Sequence, residues 1–455
     1  MATKEIKLTF GMAEDDVELG PVDINDTVQF LLKYDEEVQN PSDQRPGSIF
    51  MVPSVYRDLS PSSFTPRVVS IGPLHHQDEH LKGFKLQKAT YMHNLFHNVL
   101  RPLDSTPEQI LKECVTKVSG SVDQIKACYI GMQAYSDSEL VKMMVTDACF
   151  MLAFIYERHI GHSSLGPMEL LTTDICLDML LIENQIPFFV LQDIFECTFS
   201  RLLPTQPLAK FILVIMCNIF EGDLEINSSN ISSAHDHILG FLHKFYQNPD
   251  RDSSRLSERV KAHSVVELDR SGVRFSTKRD AKWPMAIELE LSRFLCFPLS
   301  WSKPTLKMPV VHLFDETELI LRNLIIYEHS AQVQTCISSY MLALDKLIDT
   351  PEDVAKLVKS QVLVNELGSD KKAANLINNM LKEVPLANFY YQDEWKKMDE
   401  YYNAYWPNLM AELKRDYFSN PWSIIAVIAG IVLFVLTVVQ TVLTALQTVY
   451  AAKGP

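Results

Sequence analysis

Residues 424–446 read IIAVIAGIVLFVLTVVQTVLTAL, and their reading organises everything before them. No charged residue occurs between Trp422 and Tyr450. A helix rises about 1.5 Å per residue, so this stretch reaches roughly 34 Å. The hydrocarbon core of a bilayer is about 30 Å thick. The length therefore predicts one transmembrane helix over 422–448, spanning with some tilt. Core helices of soluble domains rarely run so far without a charge. Pro421 suits a first helical turn, and Trp422 suits the headgroup level.

Within that helix Gly430, Thr437 and Thr444 recur at heptad spacing, and Ala426, Thr441 and Thr448 stand four positions from members of that set. Together they form one narrow stripe, small at the start and hydroxylated toward the end. Small residues let helices approach closely, and hydroxyls bond across them. The stripe is read as a self-association or partner-helix surface. The competing reading is that each threonine bonds back to a carbonyl of its own helix.

Working outward, residues 1–47 form a flexible acidic segment, 48–418 a helical domain and 449–455 a short tail. Val28, Leu31, Leu32, Asp35 and Val38 hint at one short helix in the first segment. The positive charges Lys396, Lys397, Lys414 and Arg415 precede the anchor and only Lys453 follows, which places the body in the cytoplasm. Plasma membrane and endoplasmic reticulum both fit. The N-terminus lacks the apolar run of a signal peptide. Sequons at Asn25, Asn227 and Asn230 are then read as unused. The eight cysteines form no Cys-x-x-Cys pair and sit mostly in apolar runs, as reduced cytosolic thiols do. A net charge of −15 argues against nucleic acid as a partner.

Helix starts are well marked in the body. Ser105-Thr106-Pro107-Glu108 joins a cap, a first-turn proline and the Glu of a capping box, and Ser136 to Glu139 is a second box. Leu177–Ile194 is apolar nearly all round and predicts a core helix broken or bent at Pro187. Apolar helices are expected over 84–100 and 208–221, with a Ser/Asn-rich loop over 222–236. Segments 48–53 and 66–76 read as extended, pinned by Pro and Gly. Alternation and prolines over 272–314 predict a small, mostly antiparallel β insert. Helices resume at Thr317, Thr335, Thr350 and Ser369, and residues 385–418 read as one long helix toward the membrane. The fold class is thus mainly α: a large helical domain, a small β insert and one transmembrane helix.

Motifs of common chemistry are missing: no phosphate loop, no Gly-x-Gly-x-x-Gly, no His-Glu-x-x-His and no Gly-x-Ser-x-Gly. The densest polar run, His75 to His80, reads as a solvated loop rather than a metal site, since adjacent residues point apart. Asp147 and the pair Glu183-Asn184 lie in apolar runs. They read as carboxylates and amides that satisfy buried backbone, against the alternative of an acid–base pair with raised pKa. His312 reads as a core histidine. No catalytic residue, cofactor or metal is assigned.

These runs carry a resemblance. The chain is similar to the plant domain-of-unknown-function 247 family in Ser48–Pro53, Phe64–His76, Lys142–Phe150 and Asp178–Phe189. It is similar again in Val265–Phe275, Leu321–Glu328 and Tyr417–Trp422. It departs from the family at Gln77, where Gly is usual after His-His, and at Val265-Val266, where Ala or Thr is usual. The resemblance implies a helical plant protein with a C-terminal span. Pro53, Gly72, Pro73, His75, His76, Asp147, Asp178, Glu183, Asn184, Gln185 and Pro187 are its structural motif residues. It implies no settled activity. Some grass members are linked to pollen–stigma self-incompatibility, which points toward recognition or signalling.

Three functions follow as expectations. The first is a membrane-tethered interaction or signalling protein with protein partners. The second is a hydrolase-like enzyme built on Asp147, Glu183 and His75 or His76. The third is a structural or trafficking factor. Convergence of those side chains on one solvent-reached cavity would favour the enzyme, and burial with pairing would favour the first.

Overall fold

The Ser136 hydroxyl accepts from the Glu139 N–H, and the Glu139 carboxylate accepts from the Ser136 N–H at 2.9 Å. This reciprocal cap opens the helix Asp137–His159, around which the body is built. The computed structural model describes residues 47–101, 103, 105–161, 166–219, 236–247, 261–278, 283–291, 304–385, 388–403 and 421–451. The chain divides into Met1–Pro46 and Gly47–Pro455, and the first unit lies outside the described residues. The short helix expected near Val28–Val38, the sequons and the loop expected from 222 lie outside them too.

The main helices are α1 (Lys85–Asn94), α2 (Pro107–Ser119), α3 (Asp137–His159), α4 (Thr172–Asp178), α5 (Phe188–Cys197), α6 (Leu208–Ile219) and α7 (Ile238–Tyr246). They continue with α8 (Val265–Ser271), α9 (Thr317–Ser330), α10 (Cys336–Leu347), α11 (Pro351–Lys359), α12 (Asp370–Met380), α13 (Gln392–Tyr402) and α14 (Pro421–Ala451). The fold is mainly α, with a few small sheets. Helix α3 is buried on nearly every side because α1, α2, α5 and α6 all pack on it. Phe150 of α3 meets the rings of Phe84 and Tyr91 edge-on, with centroids 5.5 and 5.3 Å apart. That is the arrangement favoured by the ring quadrupoles, worth about 0.5–1.5 kcal/mol beyond burial. Helix α9 forms a second hub, against α7, α10, α12 and the turn Pro61–Ser63.

The capping box at α2 closes on Gln109 rather than Glu108: the Thr106 hydroxyl accepts from Gln109 N–H, and the Gln109 side chain accepts from Thr106 N–H. Pro107 takes the first helical position, which moves the third position to Gln109. Helix α8 ends at Gly272, whose φ of 98° is the left-handed cap that glycine adopts freely.

Leu177–Ile194 is not one bent helix. Helix α4 stops at Asp178, a buried loop follows, and α5 starts after Pro187. Pro187 lacks the N–H that a continuous helix needs. The amide groups of Asn184 and Gln185 donate to the carbonyls of Asp178, Met179 and Leu181 at 2.9, 2.7 and 2.8 Å. These side chains replace the helical hydrogen bonds. Residues 388–391, where one long helix was expected, are not helical: Tyr390 N–H donates to Ser339 Oγ at 2.7 Å, and α13 begins only at Gln392.

The β insert is mixed rather than mostly antiparallel. Its strands β3 (Arg274–Thr277), β4 (Glu288–Leu291) and β5 (Pro304–Met308) take the order β3-β5-β4. The β4–β5 pair is antiparallel and the β3–β5 pair parallel. A parallel pair needs a long connection, and residues 278–303 supply it with β4 inside. Two further parallel pairs tie distant parts of the chain: β1 (Ile49–Phe50) with β2 (Tyr129–Ile130), and β6 (Val311–Leu313) with β7 (Leu363–Asn365).

Among the described residues one helix is long and apolar enough to cross a membrane: Ile428–Thr448 within α14, with a mean hydropathy of 2.3. None of that window is buried, whereas a core helix would be. The described cysteines 114, 128, 149, 176, 197 and 336 are free thiols, all buried except the half-buried Cys128.

Candidate functional site

Segment Phe64–His80 has no strand partner, so its buried backbone N–H groups need other acceptors. Side chains from α3, from the last residue of α4 and from the loop after it supply them. Asp178 Oδ1 accepts from Arg67 N–H at 2.8 Å, and its Oδ2 accepts from Val68 and Val69 at 2.8 and 2.9 Å. Burial pushes the Asp178 carboxyl up to about 6 against the opposite pull of those three donors. Asn184 Oδ1 accepts from Ile71 N–H at 2.7 Å while its Nδ2 donates to Val69 O at 2.9 Å. Asp147 Oδ2 accepts from Gly72 N–H at 2.8 Å. Gly72 has a φ of +72°, and a Cβ there would lie 2.5 Å from the Gln185 carbonyl oxygen. Only glycine fits that approach.

Glu183 is fully buried and serves three donors. Its Oε1 accepts from Val52 N–H at 2.6 Å and pairs with Arg57, and its Oε2 faces His75 Nε2 at 2.9 Å. His75 Nδ1 in turn lies 2.8 Å from Asp78. Burial lowers the proton affinity of His75, but the hydrogen bonds and charges of Glu183 and Asp78 outweigh it, so its pKa is raised. Pro53 O accepts from Tyr56 and Arg57 N–H, and Pro73 O accepts from Tyr135 Oη at 3.2 Å. Gln185 O accepts from Tyr129 Oη at 3.0 Å. The motif residues thus clamp Val52–His80 onto the core.

Lys88, Ser70, Arg57 and Asn323 were not singled out by the sequence. Lys88 offered a signal: with Phe84, Tyr91 and Leu95 it falls on the buried face of the first helix. A lysine in such a stripe needs an acid, and Lys88 Nζ donates to Asp147 Oδ1 and to Ser70 O. Asn323 is likewise polar within the apolar stripe of α9. Its Oδ1 accepts from Ile182 N–H at 2.9 Å and its Nδ2 donates to Ser63 O at 2.7 Å.

A cavity of about 420 Å³ adjoins this clamp, bordered by Ser70, His76, Lys85, Lys88, Tyr135 and Lys142, with Asp147 and Glu139 also on its wall. Asp147 and His76 meet there, while Glu183 and His75 are absent from its lining. The set Asp147, Glu183 and His75 or His76 therefore does not converge on this cavity, because Glu183 is not part of it. A second cavity of about 400 Å³, mostly apolar, lies between β6, α9 and α10, with His312 and the buried hydroxyl of Tyr340 on its wall.

His243, Glu328 and Cys336 bring one ligand atom each close enough to share a cation. Glu328 Oε1 lies 2.9 Å from His243 Nε2 and 3.3 Å from Cys336 Sγ. Glu328 also accepts from Ile337 N–H at 2.7 Å and from the Ser338 N–H and hydroxyl at 2.9 and 2.6 Å. Burial, and then the charge of Glu328, push the Cys336 thiol well up, so it is a protonated donor to that carboxylate. This bonding caps the start of α10.

In α14, the hydroxyls of Thr437, Thr441, Thr444 and Thr448 donate to the carbonyls of Leu433, Thr437, Gln440 and Thr444 at 2.6–2.8 Å. Ala426 and Gly430 are exposed, and a Cβ on Gly430 would meet nothing within 4 Å.

A family model described as a plant protein of unknown function, domain-of-unknown-function 247, matches residues 49–436. The UPF0481 protein At3g47200 of Arabidopsis thaliana is 23% identical over 408 residues, covering 86% of this chain and 84% of that protein. The UPF0481 protein At3g02645 of the same plant is 24% identical over 491 residues, covering 86% and 88%. No solved structure matches the chain.

Proposed function

This chain belongs to the plant domain-of-unknown-function 247 family, and on that premise we propose that it is a membrane-tethered recognition or signalling component. Helix α14 is its single span, its body faces the cytoplasm at the plasma membrane or endoplasmic reticulum, and its partners are proteins rather than nucleic acid. One observation carries the tether: the apolar window Ile428–Thr448 has no buried side chain. Asp147, Asp178, Glu183, Asn184 and Gln185 support recognition over catalysis, because they are occupied in holding backbone. The observation that favours a hydrolase-like enzyme is that Asp147 and His76 border one cavity. Against it, both Asp147 oxygens are already bonded, to Lys88 and to Gly72 N–H.

Proximity labelling in plant cells tests the proposal, comparing the full chain with α14 alone fused to the same labelling enzyme. The body should add a reproducible set of cytoplasmic-face proteins beyond those labelled by α14 alone. Identical sets would remove the recognition reading. A set confined to vesicle-coat proteins would favour a trafficking factor instead.

A further inference from the structure

His243, Glu328 and Cys336 come from three elements: α7, α9 and the first residue of α10. They are 1%, 0% and 0% exposed. The atoms that face one another form a nearly equilateral triangle. Glu328 Oε1 lies 2.9 Å from His243 Nε2 and 3.3 Å from Cys336 Sγ. The third side, Cys336 Sγ to His243 Nε2, is 3.4 Å. Zinc holds nitrogen and oxygen at about 2.0–2.2 Å and sulfur at about 2.3 Å, so two ligands of a tetrahedral zinc are about 3.3–3.6 Å apart. One ion above the centre of the triangle therefore reaches all three atoms after shifts of a few tenths of an ångström.

The charge balance points the same way. Glu183 has Arg57 and Asp147 has Lys88, but Glu328 pairs with no lysine or arginine among the described residues, only with His243. A carboxylate taken from water is costly unless its charge is met. A divalent ion held by one carboxylate, one thiolate and one neutral imidazole leaves no net charge in the core. Cys336 opens α10, and a helix N-terminus favours a thiolate.

The groups behind the triangle hold the ligands in place. Ile337 N–H donates to Glu328 Oε1, and the Ser338 N–H and hydroxyl donate to Oε2. The side-chain amide of Gln247 lies 3.4 Å from His243 Nδ1. With the amide oxygen turned to that nitrogen, Nδ1 carries the proton and Nε2 presents its lone pair. Sulfur and imidazole ligands select zinc over magnesium or calcium.

We propose that His243, Glu328 and Cys336 bind one zinc ion that ties α7 to α9 and α10, with a water as its fourth ligand. The ion takes the place of a proton. Without it, the Cys336 thiol donates to Glu328 Oε1. On binding, the S–H bond breaks, its electron pair forms the S–Zn bond and the proton leaves to solvent. No oxidation state changes. Because the ligands are buried, the ion enters as the chain folds. The site is independent of how the body is tethered.

The test uses the detergent-solubilised full chain, isolated from cells grown with added zinc. Elemental analysis should find zinc equimolar with the chain. X-ray absorption at the zinc edge should show one sulfur neighbour at about 2.3 Å and otherwise nitrogen or oxygen at about 2.0–2.2 Å. That measurement needs no variant, so it stands whether or not the variants fold. Cys336→Ser and His243→Gln should each lose the zinc. Cys128→Ser, which alters a half-buried thiol elsewhere, should keep it. A chain free of zinc, or one carrying equimolar copper or nickel instead, would overturn the proposal. So would zinc with no sulfur neighbour or with two, or zinc kept by both ligand variants.

Discussion

His75 Nε2 lies 2.9 Å from Oε2 of Glu183, joining the segment after Gly72 to the loop after α4 through two buried side chains. Neither group lines a cavity named above, so the contact acts on stability. The His75 pKa is raised above 6.5 in the folded chain. Its contribution is therefore complete below that value and fades as pH rises through the folded pKa. His75→Gln should lower the melting temperature more at about pH 6 than at about pH 9. A gap that stays constant or widens with pH would contradict this linkage.

Asp178 answers three successive backbone N–H groups. Asp178→Ala leaves buried donors without a partner, each costing about 1–3 kcal/mol. Asp174→Ala breaks only the partly exposed contact with Arg67 and should cost under about 1 kcal/mol. Denaturant melts of the two variants should separate clearly. Equal midpoints would show that Asp178 does not hold the segment.

Gly72→Ala forces a methyl group against the Gln185 carbonyl in a left-handed backbone and should cost more than about 1 kcal/mol. Gly83→Ala has open space around it and should be close to neutral. Thermal melts that rank the two the other way would refute the close approach at Gly72.

Much of this architecture was legible because it is local. The capping box at Ser136 follows from residues three apart, and the uncharged run to Leu446 needs no partner to be read. The loop Met179–Pro187 was hidden because its composition is apolar, while its conformation depends on amide side chains bonding backbone carbonyls. The pairing of β3 with β5 depends on chain-distant contacts that alternation does not encode. Asp147, Glu183 and His75 were visible as out-of-place polar residues. Their partners Lys88 and Arg57 were not, since they lie up to 126 positions away.

In α14 the threonine hydroxyls bond back to their own helix, which leaves the close approach of Ala426 and Gly430 to decide association. We predict that Gly430→Ile with Thr437→Leu abolishes the signal of a membrane two-hybrid assay, while Val432→Leu with Val439→Leu preserves it. Measured cross-helix hydrogen bonds contribute only about 0.6 kcal/mol each, so steric loss at Gly430 should dominate. Equal signals from both double variants would make the stripe an ordinary lipid-facing surface.

The central claim is a folded body held to a membrane by α14 alone. Alkaline carbonate extraction of plant microsomes tests it most directly, with the full chain compared against a chain ending at Phe418. The account predicts that the full chain stays in the membrane pellet and that the shortened chain appears in the soluble fraction with its thermal transition intact. Release of the full chain by carbonate, or retention of the shortened chain in the pellet, would contradict it.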